Sequence, residues 1–525
     1  MKFFKIISVL LVFVFVLSGC DMAGESSGGD GENKITDSLV FELLDNGTYG
    51  VKAGTFSEKN LEIPATHDGK SVTEILPNGF YGIKAIESIS LPSTIEKIGD
   101  SAFMGCSSLK NLNIPASVVT IDNFAFKGCS ILETVSFESG SNLSSIGQEA
   151  FTDCIKLNQF TMPDSLTKIG DYAFKNCVSL DKFNMTENNS LKDIGLAAFA
   201  NSKIKTFILS SKMITLGDAA FMDCGELVTV SGGAAIEVIG ASAFRNCTKL
   251  EAYNFPATIK EIGNSAFESC SSFAELILPN GALKIGSSAF KSCSNLTTIS
   301  LPDTVMSVGY EAFNNCPKIT YFLYDEARYL GNSENGYVAL IVGKDKTKTS
   351  YKIHENTVCI SDLAFANCTA LSEITLPENF LNIGNGAFYN CTSLKKVTVN
   401  DILIGIGDDA FKNCSKLETF RLPNTVTSIG KNAFKGCAKI DFFFLPDGIT
   451  EIKSGTFSGC STLNTIRIGS AVTTIDEFAF NSCSKLSTIN YAGNEASWKN
   501  ITLIEDGNTV ITKSDSKVNV KFDLK

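Results

Sequence analysis

Apolar and polar positions follow one pattern along this chain, and it restarts about every 23 residues. One copy runs from Val118 to Phe137. Val118 and Ile121 are apolar, then come Ala125 and Phe126, Cys129 three residues after the Phe, and Leu132 six after. The i, i+3, i+6 spacing predicts a tight helical or 3₁₀ turn. Val135 and Phe137 then alternate with polar residues, which predicts a short strand with every second side chain inward.

The marking Phe, preceded by Ala in most copies, recurs seventeen times from Phe80 to Phe480. Most steps are 23 residues; two are 25, one is 22 and one is 52. So many copies at one period exclude several independent globular domains and predict a solenoid. Nine copies end the strand with Pro, Pro115 and Pro279 among them, and Pro cannot donate to a ladder. Twelve copies carry Gly four residues before the Phe, such as Gly99, Gly170, Gly263 and Gly430. That position is read as a corner needing an unusual backbone angle.

The spacing Leu-x-x-Ile-x-Leu-Pro-x-x-Ile-x-x-Ile-Gly-x-x-Ala-Phe-x-x-Cys resembles the 23-residue leucine-rich repeat of BspA-like bacterial surface proteins. Residues 109–126 and 296–313 match it closely, and the resemblance covers about four-fifths of the chain. It implies a leucine-rich repeat solenoid of about 17 repeats. The coils would be parallel β structure with short helical or 3₁₀ turns, and a parallel sheet would line the concave side. At roughly 4.8 Å per strand, seventeen coils make a rod on the order of 80 Å long.

The breaks in period locate the remaining parts. In the 22-residue step Ser202 replaces the cysteine, and Ile204 comes one position early. The 52-residue step predicts an insertion at about 325–353. Two apolar runs, Ala327–Leu330 and Tyr337–Val342, flank Asn335-Gly336 and read as a β-hairpin. Repeats are assigned to 72–491, with an N-terminal cap at 38–71 and a C-terminal cap at 492–525, since solenoid ends need covering. Trp498 reads as a core plug of the second cap.

The first nineteen residues read as an export signal. Lys2 and Lys5 precede Ile6–Leu17, an apolar run broken only by Ser8 and too short for an ordinary membrane span. It ends in Leu17-Ser18-Gly19-Cys20, which resembles a bacterial lipobox. The resemblance implies cleavage before Cys20 and acylation of Cys20. Residues 20–37 are rich in Gly, Ser, Asp and Glu, and read as a flexible tether. The implied location is exported and lipid-anchored in the bacterial cell envelope, at the outer surface. Asp21 is a residue that favours inner-membrane retention in some bacteria.

Composition narrows the chemistry. A net charge of −11 excludes a phosphate-backbone partner such as nucleic acid. There are 17 cysteines but two histidines. Fifteen cysteines stand three residues after the Phe, in unbroken runs of four, five and six, so pairing neighbours would strand one of them. Ile83 fills the same slot in the first repeat. The set therefore reads as a buried thiol ladder, with disulfides between adjacent coils as the alternative. His67 and His354 are too far apart in a coil-by-coil fold to form a dyad or metal site. The exposed strand positions hold two acids, Glu275 and Glu373, at least three strands and so roughly 14 Å apart. A glycosidase pair needs about 5 to 9.5 Å. No catalytic residue, metal or cofactor is assigned.

Eight and ten residues after each Phe, the strand positions facing outward are mostly small and polar, as at Asn111/Asn113 and Thr298/Ser300. Apolar residues break that pattern at Ile208, Ile277, Tyr321/Leu323 and Phe442/Phe444. Ile277, Tyr321, Leu323, Phe442 and Phe444 are the candidate ligand-binding residues, with burial under the insertion or a cap as the alternative. The resemblance implies an adhesin-like scaffold for host matrix proteins, other cells or glycans. A structural envelope protein without a saturable ligand, and an envelope glycan-active enzyme, are the alternatives.

Overall fold

Each coil closes because its apolar residues have one place to go. The computed structural model describes residues 38–418, 420–511 and 518–522. The signal segment 1–19, Cys20 and the tether to residue 37 lie outside the described residues.

Two columns of parallel strands run the length of the solenoid. One holds the strands that follow the Phe, paired coil to coil at a 23-residue offset: Asn111–Ile114 lies beside Thr134–Phe137, with Val135 opposite Leu112. The other holds two-residue strands before the Phe, such as Lys97–Ile98 beside Thr120–Ile121. Between the columns the Phe rings stack. The rings of Phe80 and Phe103 lie 5.2 Å apart with nearly parallel planes, and the stack continues to Phe313. A second stack runs from Phe365 to Phe480. Offset stacking at this spacing suits aromatic quadrupoles.

The Ala-Phe corner keeps i→i+3 hydrogen bonds, as in Ala102 N–H to Gly99 O at 3.2 Å and Cys106 N–H to Phe103 O at 3.1 Å. It does not become a helix. In all seventeen repeats the residues two before and two after the Phe are left-handed, for example Ser101 (φ 54°) and Gly105 (φ 76°). Alternate amides then point along the solenoid. Ser101, Phe103 and Gly105 donate to the carbonyls of Asn123, Ala125 and Lys127 in the next coil, each at 2.8 Å.

The glycine four residues before the Phe needs a different explanation from the expected one. Gly99, Gly170, Gly263 and Gly430 have ordinary φ, while Ser, Asn, Tyr172 and even Phe124 occupy the left-handed sites. The glycine is required by closeness. A Cβ at Gly263 would lie 2.6 Å from Ala241 N, and one at Gly430 2.3 Å from Asp408 N.

At the ends, Leu39–Leu43 and Tyr49–Ala53 form an antiparallel hairpin joined to the two-residue column. At the other end a short helix, Glu495–Lys499, sets Trp498 edge-on to Tyr491 at 5.2 Å and leaves it partly buried.

The insertion contains the expected hairpin, Ala327–Leu330 antiparallel to Ala339–Gly343. Its connection is not a two-residue Asn335-Gly336 turn. Residues 331–338 form a longer loop in which Asn332 Oδ1 accepts from the Glu334 and Asn335 amides. Gly336 is the bed of the Phe322 ring, which a Cβ would meet at 2.6 Å. The tight turn lies earlier, at Asp325 and Glu326, both left-handed, and it joins Phe322–Tyr324 antiparallel to Ala327–Leu330.

Candidate binding face

In the N-terminal coils, outward residues of the long-strand column bond to one another from coil to coil. Thr134 Oγ1 donates to Asn111 Oδ1 at 2.7 Å, Ser136 Oγ to Asn113 Oδ1 at 2.9 Å, and Asn184 Nδ2 to Thr161 Oγ1 at 3.3 Å. Parallel register places equal positions 23 residues apart side by side, so these polar side chains form ladders between coils.

The apolar interruptions differ among themselves. Ile277 stands 56% exposed beside Ser300. Phe442 is 51% exposed, with Phe443 fully buried between it and Phe444. Phe444 is partly covered, because the Arg467 guanidinium of the next coil lies 4.4 Å over its ring while Nη1 bonds Asp447 Oδ1 at 2.6 Å. Arg467 follows Phe444 by 23 residues, so the register signals this contact.

Tyr321 and Leu323 do not flank an inward Phe322, and this corrects the sequence expectation. The inserted strand Ala327–Leu330 draws Phe322–Tyr324 out of the parallel column into antiparallel pairing at the edge of a seven-stranded sheet that continues into the two-residue column. Phe322 is 45% exposed and Leu323 63%. Tyr321 is partly buried, with the Arg328 guanidinium 5.1 Å over its ring.

An open groove of about 660 Å³ lies next to Phe444, with Lys396, Thr398, Arg421 and Asn424 among its lining residues. Lys396 and Arg421 occupy outward strand positions, eight and ten residues after their Phe, so the cations at these positions mark the groove where acids and apolar residues do not.

Other groups are arranged for packing. All sixteen described cysteines are free and buried. Every ladder thiol except Cys368, which follows the insertion, reaches the carbonyl of the preceding coil's Phe, as in Cys270 Sγ to Phe244 O at 3.0 Å. Burial pushes the Cys391 thiol up to about 12. His67 stacks on Phe41 at 4.0 Å, and His354 on Tyr337 at 3.7 Å. Glu275 pairs across to Thr298 and Glu373 to Ser350, on separate sheets.

These coils define a leucine-rich repeat solenoid. The family model described as "BspA type Leucine rich repeat region (6 copies)" matches residues 52–145, 73–202, 192–320, 344–443 and 404–506, so the chain belongs to that family. No curated protein matches it. Among solved structures it is similar to a leucine-rich repeat protein from Bacteroides ovatus, at 23% identity over 93% of this chain and 98% of that one, with a TM-score of 0.31. It is also similar to a leucine rich cell surface protein from Faecalibacterium prausnitzii, at 23% identity over 89% and 96%, TM-score 0.30. A leucine-rich repeat protein from T. pallidum matches at 25% identity over 42% of this chain and 91% of that one, TM-score 0.34.

Proposed function

We propose that this protein is a non-catalytic binding scaffold, exported and held by lipid at Cys20 on the outer surface of a bacterial cell. It acts there as an adhesin-like receptor for host matrix proteins, other cells or glycans. The observation that carries the binding role is Phe442, an aromatic ring half in water on a strand face whose outward residues are mostly small and polar. Rigid aromatic anchors typically dominate interface energies, and neighbouring small polar residues mainly exclude water. The groove next to Phe444 offers room for a partner group beside that ring. Anchoring rests on the basic start, the short apolar run and Leu17-Ser18-Gly19-Cys20. Two or more acyl chains hold a protein stably on a membrane, and one does not.

The test is a binding screen of residues 34–525 against matrix proteins and glycans. Saturable binding that Phe442→Ser weakens supports the reading. Absence of any saturable ligand favours a purely structural envelope role. Fatty-acid labelling of wild type and Cys20→Ser tests the anchor, and equal label in both rejects it.

A further inference from the structure

The inter-coil amide row described above is complete in fifteen of the seventeen repeats. Ser288, Phe290 and Ser292 donate to Tyr310, Ala312 and Asn314 at 2.8 Å, and beyond the insertion Leu363, Phe365 and Asn367 donate to Asn385, Ala387 and Tyr389 at 2.8 Å. In the last repeat Phe478 N–H is capped by Asp506 O at 2.7 Å and Phe480 N–H by Asn508 Oδ1 at 2.9 Å. The coil of Phe313 is different. Asn315 N–H turns to Asn314 Oδ1, and the amides of Glu311 and Phe313 have no hydrogen-bond acceptor among the described residues.

The insertion causes this. Its strand Ala339–Gly343 takes a column position beside Cys359–Ile360, and Gly343 N–H fills Ala364 O at 3.0 Å, but the inserted turn has no Ala-Phe corner. A cleft of about 530 Å³ remains between the corner of Phe313 and that of Phe365. Its far wall holds Asp362 O, which receives no amide although its counterpart Asn385 O does. Ser361 lines it too, 2% exposed and with no partner for its Oγ. Buried polar groups are normally paired, so these mark a place for a ligand. Two acids also line the cleft and are engaged, Glu311 by Lys291 and Asp362 by Asn385, which leaves Arg328, at the edge over Tyr321, as the charge with no ion-pair partner among the described residues.

We propose that this cleft binds an acidic peptide segment of a partner protein. Carbonyls of the peptide two residues apart accept from Glu311 and Phe313, and a carboxylate side chain pairs with Arg328. The donor spacing selects a polypeptide over a single anion. In the other coils the equivalent amides serve two carbonyls separated by one residue, never one atom. A peptide amide can in turn donate to Asp362 O or Ser361 Oγ, as in other cases where main-chain bonds give affinity and side-chain contacts give specificity. The cleft lies within the roughly 300–1,000 Å³ usual for ligand pockets. This site is separate from Phe442, and its test does not depend on the strand-face reading.

Hydrogen exchange of the full chain is the first measurement. Glu311 and Phe313 amides should exchange at least tenfold faster than Ser288 and Phe290. An acetylated, amidated hexapeptide alternating Ala and Asp should then slow both, while the Ala-Lys counterpart and sodium sulfate at equal ionic strength should not. Arg328→Ala should weaken the peptide at least fivefold, and Arg328→Lys less, with the circular dichroism spectrum unchanged. Slow exchange in the free protein overturns the proposal, and so does protection by sulfate equal to that by peptide. Equal peptide affinity in wild type and Arg328→Ala does the same.

Discussion

Cys224 Sγ lies 3.3 Å from Ser202 Oγ, so the serine of the shortened repeat takes the place of a thiol in the ladder. Cys224 still reaches Phe199 O at 3.1 Å, as ladder thiols do. The slot therefore accepts a hydroxyl as well as a thiol, and an oxidisable sulfur is not required. Native protein at pH 8 should react with a thiol reagent roughly a hundredfold slower than unfolded protein, because the thiolate is the nucleophile and burial suppresses it. Cys316 should label first. It sits beside the insertion cleft at 7% exposure, and burial raises it to about 11. Mass spectrometry of partially labelled protein checks the order. Disulfides between 23-spaced cysteines would refute the ladder.

Gly263 and Ser265 are two residues apart and predict opposite outcomes. Gly263→Ala forces a methyl against the backbone of Ala241 and should cost about 1–3 kcal/mol, as overpacking does. Ser265 is left-handed at φ 54°, so Ser265→Gly removes backbone strain and should be neutral or slightly stabilising. Denaturant midpoints of the two variants decide it. A tolerated Gly263→Ala would mean that the coils can separate at that point without loss.

Much of this was legible because alternation and register are local rules. Phe443 in and Phe442 out follow from a period of two, and Arg467 over Phe444 follows from a period of 23. The same rule failed at Phe322, where a strand changed partners. Alternation names a residue's face only after its neighbours are known, and 29 added residues supplied a new neighbour. Gly263 is special for its closeness to the preceding coil and not for its backbone angle, and that closeness is invisible within one repeat. The cleft was not legible at all. It comes from a corner that the inserted turn lacks, and no residue in the chain marks that.

Asp362 predicts a pH dependence. Burial is the largest influence and raises its carboxyl above the ordinary 3.8, against hydrogen bonds from Asn385 that lower it. A carboxyl whose folded pKa is raised binds its proton more tightly in the folded chain. Its charge therefore costs stability at neutral pH, and the cost fades as pH falls through the folded value toward 3.8. Asn123, Asn264 and Asn385 occupy the same slot and accept the next coil's amide equally well, as in Asp408 N–H to Asn385 Oδ1 at 2.8 Å. Asp362→Asn should raise the melting temperature at pH 7, with the gain shrinking toward pH 4. A loss at pH 7 would mean that the charge itself is needed.

Phe442 and Phe444 separate the binding role from packing. Both lie on one strand, yet only Phe442 is open, while Phe444 lies under Arg467. If Phe442 anchors a partner, Phe442→Ser should weaken binding at least tenfold, about 1.4 kcal/mol. Its stability should hardly change, since a half-exposed ring loses little on folding. Phe444→Ser removes the seat of Arg467. It should cost stability on the scale of a cation–π contact, about 0.5–1 kcal/mol at an exposed site, and affect affinity less than Phe442→Ser does. The double variant should bind as weakly as Phe442→Ser alone or slightly more weakly. Changes at Thr298 and Ser300 are the control on the same face and should leave binding intact. Titration calorimetry with the ligand found by the screen, alongside melting curves, reads both quantities. Unchanged affinity in a folded Phe442→Ser protein moves the partner off this face.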